Sequence, residues 1–154
     1  MSAERRSFEE LAQELTVTIR TVYPKLSMLD YEAVTAPLAE GKWSCKQIVG
    51  HLVDSASYNH HRFLRTQLHA ECGGLSYDQD GCVRLSAPGE FPWPMLLQLW
   101  MSYNLYLAHI LAHVPESAGE LICQMNGGAE HTLRFLAEDY LRHLNHHLQQ
   151  MDVA

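Results

Sequence analysis

The sequence predicts an all-α protein, a four-helix bundle, and three observations carry that prediction. Apolar residues recur at three- and four-residue steps in four separate stretches, the period of a helix that buries one face. Each stretch runs for roughly 19 to 26 residues, a length typical of bundle helices rather than of strands. No segment shows the convincing alternation of a half-buried strand. The chain has 154 residues, 47% of them hydrophobic and 19% charged. That is a globular balance, and residues 1–154 are expected to form a single domain.

The first helix is expected over about residues 7–29, where Phe8, Leu11, Leu15, Ile19, Val22 and Leu26 share a face. Pro24 lies inside it and should kink or interrupt it, because proline lacks an N–H and its ring crowds the preceding turn. A linker with Pro37 and Gly41 follows. Ser44 and Gln47 have the spacing of a capping box, in which two side chains satisfy free N–H groups at a helix start. From there Ile48, Val49, Leu52, Val53, Ala56, Phe63 and Leu64 form one apolar arc, ending near His69. Gly73-Gly74 breaks the pattern. Residues 70–92 read as a long connection containing Tyr77-Asp78-Gln79-Asp80, and connections of this length are usually functional or mobile.

The third helix should start near residues 92–94, since proline is tolerated in a first turn. Trp93, Leu97, Trp100, Asn104, Leu107, Leu111 and Val114 give its seam, and Pro115 and Gly119 end it. Residues 119–131 leave room for a short extended piece, Leu121-Ile122-Cys123, before Gly127-Gly128. Thr132 can cap the fourth helix, which runs through Leu133, Leu136, Tyr140, Leu144 and Leu148 to about Met151.

Composition removes several functions. The formal charge is −7, with no Lys/Arg stripe, whereas a nucleic-acid partner needs a basic face that displaces counterions. No run approaches the ~20 apolar residues of a membrane span. The first residues, Met1-Ser2-Ala3-Glu4-Arg5-Arg6, lead into a charged helix rather than an apolar signal region, so the expected location is cytoplasmic. Cys45, Cys72, Cys82 and Cys123 form no C-x-x-C pair. They are expected to be reduced in that compartment, although Cys72 and Cys82 share one connection and can meet.

Histidines carry the remaining chemistry. At about 100° per residue, His143 and His147 lie on one face of the fourth helix. His147 falls within the apolar arc and His143 at its edge, and imidazoles at this spacing can direct two nitrogens at one metal ion. Asp139 lies one turn earlier, where a carboxylate can orient a ligating ring. His109 and His113 share the same spacing near a helix end, so spacing alone does not decide the matter. On the second helix, His51 borders the core beside the polar strip Ser55, Asn59 and Arg62, with Asp54 three residues on. Read one way, His51 is a ligand. Read the other way, it caps a neighbouring helix, and Asp54 and Arg62 are solvated charges. Asn104 occupies a seam position, where it either fixes helix register or faces a polar cavity, the reading favoured here.

Several of these segments together resemble the DinB-like superfamily. They are Gly50-His51-Leu52-Val53-Asp54-Ser55 after Trp43-Ser44, then Asn59-His60-His61-Arg62-Phe63, Tyr77-Asp78-Gln79-Asp80-Gly81, Trp100 with Tyr103-Asn104, and Tyr140-Leu141-Arg142-His143-Leu144-Asn145-His146-His147. The resemblance spans nearly the whole chain in the right order. It implies a four-helix bundle with a long cross-connection, a divalent metal such as nickel or zinc held by His51, His143 and His147, and a homodimer. Cys82 departs from the family pattern, which carries a tryptophan in that loop.

Three protein ligands with open positions suit a catalytic metal, and relatives include thiol-dependent transferases and isomerases as well as hydrolases. The reading is a metal-dependent enzyme that activates water or a low-molecular-weight thiol against a small-molecule substrate. Arg62 would hold an anionic group, Asn59, Tyr77 and Asn104 would line the pocket, and Asp54 is the available general base. The rival is a non-catalytic metal- or ligand-binding stress-response bundle. A di-iron carboxylate bundle needs Glu-x-x-His motifs, and the chain has none.

Overall fold

Capping sets the helix starts. In the computed structural model, which describes residues 5–69, 77–125 and 128–154, helix α1 (Phe8–Ser27) opens on a capping box. The Ser7 Oγ accepts from the Glu10 N–H at 3.1 Å, and the Glu10 carboxylate accepts from the Ser7 N–H at 2.7 Å. The expected Pro24 break does not occur. Pro24 sits in the last turn on the exposed side, so the carbonyl it leaves unpaired at Arg20 faces water, which can satisfy it. A short helix α2 (Tyr31–Thr35), capped by Asp30, follows.

Helix α3 (Cys45–Gln67) begins at the predicted Ser44/Gln47 box. Its first turns are clamped from outside by a 3-10 turn at Pro88–Glu90. Lys46 Nζ donates to the Gly89 carbonyl at 3.0 Å. Gly50 meets Pro88 so closely that a Cβ at position 50 would fall 2.5 Å from the proline ring. This contact sits directly before His51 in the chain and fixes its height on the bundle.

The 70–92 connection is partly helical. Asp78 accepts from the Gly81 N–H at 2.9 Å and starts helix α4 (Gln79–Ser86), which packs on α3. Gly73-Gly74 and Cys72 lie outside the described residues, while Cys45, Cys82 and Cys123 are free thiols. Helix α5 (Trp93–Ala112) follows, with Pro94 in its first turn. A hairpin then joins α5 to α6: strand β1 (Ile122–Gln124) pairs antiparallel with β2 (Glu130–Thr132), Cys123 facing His131. The extended piece was expected, one residue earlier, but its partner strand was not. Thr132 caps helix α6 (Leu133–Gln150) as predicted.

The predicted seams of α1, α5 and α6 are all buried. Helix α1 packs chiefly on α5, and α3 lies between α5 and α6. Arg134 ties the ends together, with its guanidinium over Phe8, one nitrogen on the Arg6 carbonyl and another on Glu116, each at 2.6 Å. Among the described residues no helix is long and apolar enough to cross a membrane.

Candidate metal centre

The α3–α6 contact brings the three histidines together. The clamp at Gly50 sets His51 on α3, and one turn of α6 separates His143 from His147. His143 Nε2 lies 3.2 Å from His51 Nε2 and 3.1 Å from His147 Nε2. The rings stand nearly perpendicular to one another, at 70° to 84°, with centroids 4.6–5.1 Å apart. His51 is 1% exposed and His147 9%.

Electrostatics keep these imidazoles neutral. Burial, then the neighbouring His147 and His143, lowers His51 to about 4. Burial and His147 lower His143 to about 4 against a small opposing pull from Asp139. Burial also lowers His147, partly offset by its bond to Gln150. Three neutral nitrogens converging within 4.8 Å of one another match the donor set of a borderline divalent ion. Zn–N bonds of about 2.0–2.1 Å place nitrogens on one ion roughly 3 Å apart, the separation found between His143 Nε2 and each of the other two. The residues fit a metal.

Each ring has a different outer neighbour. His147 Nδ1 is 2.8 Å from Gln150 Oε1, and His143 Nδ1 is 3.4 Å from Ser55 Oγ. His51 Nδ1 is buried with no hydrogen-bond partner. Its ring is flanked by Trp43, with centroids 5.2 Å apart, and by Tyr77 at 6.2 Å.

The triad opens onto a cleft of ≈ 650 Å³, lined by His143 and His147 with Leu38, Lys42, Trp43, Gln79, Asp80, His146 and Gln150 among others. That volume suits a ligand well above the size of a single water or amino acid. The predicted pocket residues do not line this cleft, although Tyr77 flanks His51. Asn59 is buried, and its amide donates to the Ser55 carbonyl of its own helix at 2.9 Å. Tyr77 stacks on Tyr58, centroids 4.0 Å apart, and burial followed by the charge of Asp54 pushes its hydroxyl up to about 12. Arg62 acts on that same hydroxyl in the opposite sense. Asp54 is half-buried, its Oδ2 lacks a hydrogen-bond partner, and burial raises its carboxyl. Asp54, Asn59, Arg62 and Tyr77 are not among the residues lining the cleft.

Two further expectations change. Asn104 does not line the cleft: it is fully buried, donates to the Trp100 carbonyl at 2.9 Å and accepts from the Tyr140 hydroxyl. It joins α5 to α6, the register role. Asp139 is paired with Arg142, leaving the Ser55 hydroxyl as the group at His143 Nδ1. Sequence reasoning missed Lys42, Gln79, Asp80, His146 and Gln150. Gln150 left a signal in its three-residue step from His147, and Gln79 and Asp80 in the Tyr77-Asp78-Gln79-Asp80 motif of the long connection, while Lys42 comes from a linker and His146 from an exposed helix face.

Comparison with known proteins agrees with this architecture. A family model for the DinB superfamily matches residues 2–151. YfiT from Bacillus subtilis, described as a probable metal-dependent hydrolase with an unusual four-helix bundle topology, has a similar structure. The TM-score is 0.84 at 19% identity, over 99% of this chain and 89% of that one. A mycothiol-dependent maleylpyruvate isomerase is also similar, with TM-score 0.77 at 13% identity, over 97% of this chain and 62% of the isomerase. No curated protein matches the sequence.

Proposed function

This chain belongs to the DinB superfamily, and on that premise we propose that it is a metal-dependent enzyme acting on a small molecule in the ≈ 650 Å³ cleft. The observation that carries the reading is the convergence of three neutral Nε2 atoms from α3 and α6. His51, His143 and His147 would hold one divalent ion, zinc or nickel. Such an ion lowers the pKa of bound water or of a thiol and polarises a carbonyl.

The chain's own groups supply binding and orientation. The closed α3 side, with His51 1% exposed and Trp43 against it, excludes water from one flank of the triad. Among the described residues Lys42 is the Lys/Arg side chain on the cleft wall, and it joins Arg62 as a candidate partner for an anionic substrate group. Among the described residues Asp80 is the carboxylate that lines the cleft, so it stands beside Asp54 as a candidate to accept a proton from water or a low-molecular-weight thiol. The reaction is then a hydrolysis or a thiol-dependent transfer, carried out in the cytoplasm.

Protein purified without a histidine tag should carry about one equivalent of transition metal per chain, since three protein ligands make one site. A His143→Ala/His147→Ala double variant should carry none, and undiminished metal in it would sink the assignment. Metal-loaded protein is then screened with thiols against epoxides, chloroarenes and maleyl compounds, and alone against esters and amides. Turnover lost in the double variant supports the enzyme. Metal binding without turnover favours the alternative, a non-catalytic metal-binding bundle. The homodimer implied by family resemblance is tested by light scattering, where a monomer mass at micromolar concentration refutes it.

A further inference from the structure

Gln150, at the end of α6, touches two imidazoles at once. Its Oε1 lies 2.8 Å from His147 Nδ1, and its Nε2 lies 3.2 Å from His146 Nε2. A side-chain amide has one end that only accepts and one that only donates, while a neutral imidazole has one nitrogen of each kind. Because Oε1 accepts, His147 Nδ1 must carry the proton. Its Nε2, which faces His143 Nε2 at 3.1 Å, is then a bare lone pair. Because the amide nitrogen donates, His146 Nε2 must be bare as well.

The reversed amide has the opposite outcome. Its nitrogen would donate to His147 Nδ1, and the His147 proton would move to Nε2, into the space between the three rings. A proton there occupies the one lone pair His147 can offer toward His51 and His143. The direction in which the Gln150 amide points therefore decides whether His147 offers its Nε2 lone pair toward the triad. His146, exposed on the cleft wall, is the second partner of that amide.

We propose that Gln150 is a positioning residue, oriented by His146, that locks His147 in the tautomer protonated on Nδ1 with Nε2 bare toward the triad. The purpose of the lock rests on the metal reading above, whereas the tautomer is a property of the chain alone and can be measured without metal. Outer partners of ligating histidines are typically worth 10- to 100-fold in metal affinity. Gln150 is exposed at a helix end, so its substitution does not threaten the fold.

The test uses the full chain, ¹⁵N-labelled and stripped of metal, with long-range ¹H–¹⁵N correlation spectra near neutral pH. The wild type should show His147 with a protonated Nδ1 and a bare Nε2. Gln150→Leu should populate the Nε2-protonated form, and Gln150→Glu, which keeps an acceptor, should retain the wild-type pattern. His146→Ala should release the amide and give a mixture. Titration with Co²⁺ should then show Gln150→Leu weakened about 10- to 100-fold with an altered visible spectrum, and Gln150→Glu close to wild type. An Nε2-protonated His147 in the wild type overturns the proposal, as does a Gln150→Leu chain with unchanged tautomer and Co²⁺ affinity. An unchanged tautomer in His146→Ala removes His146 from it. If the wild type shows the expected tautomer and binds no Co²⁺, the lock stands and the metal reading falls.

Discussion

His51 Nδ1 is buried without a hydrogen-bond partner, and such an atom costs about 1–3 kcal/mol. The same ring sits 1% exposed with a value lowered to about 4 by burial and by its two histidine neighbours. Its polarity therefore costs the metal-free fold stability and is useful only if something binds at Nε2. His51→Leu should abolish Co²⁺ binding yet leave the metal-free chain as stable as wild type or more stable by about 1 kcal/mol, because the orphaned nitrogen is removed. Urea unfolding of both chains after chelation checks this. A loss of more than about 2 kcal/mol in the variant, the size of a lost core contact, would mean that the ring serves chiefly to pack against Trp43.

At the scale of elements, Asn104 and Tyr140 couple α5 to α6 inside the core, where both are essentially inaccessible. Burial raises the Tyr140 phenol, so it stays a donor to Asn104 Oδ1. Tyr140→Phe leaves that oxygen buried and unpaired and should cost about 1–3 kcal/mol. Asn104→Leu in the same chain removes the stranded amide, so the double variant should be more stable than Tyr140→Phe alone, which a double-mutant cycle measures. Additive losses would refute the coupling. The same pair shows what the sequence could convey. Apolar period, with caps at Ser44 and Thr132, marked the long helices, because burial of one face imposes a regular spacing. Helix α4 has only eight residues, two of them buried, and β2 is Glu130-His131-Thr132 with no buried residue, so neither carries a period. His147 was legible as an anomaly inside an apolar arc with His143 at its edge, whereas His51 bordered the core beside a polar strip and joined them only through the family resemblance. Lys42 and His146 were not legible, because a cleft wall is assembled from exposed residues of distant segments and leaves no spacing in the chain.

For the molecule as a whole, the three imidazoles make the stability of the metal-free chain depend on pH in a definite direction. His51 and His143 are lowered from 6.5 to about 4 in the folded chain. As pH falls below 6.5 the unfolded chain takes up protons at these positions and the folded chain does not, so stability drops until about pH 4 and these two groups contribute no further slope below it. Above 6.5 they contribute none. Glu10 and Glu116 are also lowered, by backbone hydrogen bonds from Ser7 and Phe8, so their stabilisation is present above 4.5 and fades on further acidification. Asp54, raised by burial from 3.8, acts in the opposite sense above that value. Bound metal adds stability as RT ln(1 + [L]/Kd), about 2.7 kcal/mol at 100 times Kd, and needs all three rings neutral. The urea midpoint of the chelated wild type should therefore be flat from pH 8 to about 6.5 and decline between about 6.5 and 4, with the metal-loaded chain running above it and losing that advantage only as His51 and His143 take up protons near pH 4. A chelated His51→Leu/His143→Leu chain should lose most of the decline above about pH 4.5 and keep the carboxylate-driven fall below it. Equal slopes in the two chelated chains between pH 6.5 and 4.5 would show that the triad is not buried in its neutral form, and the donor set would then not be the one described.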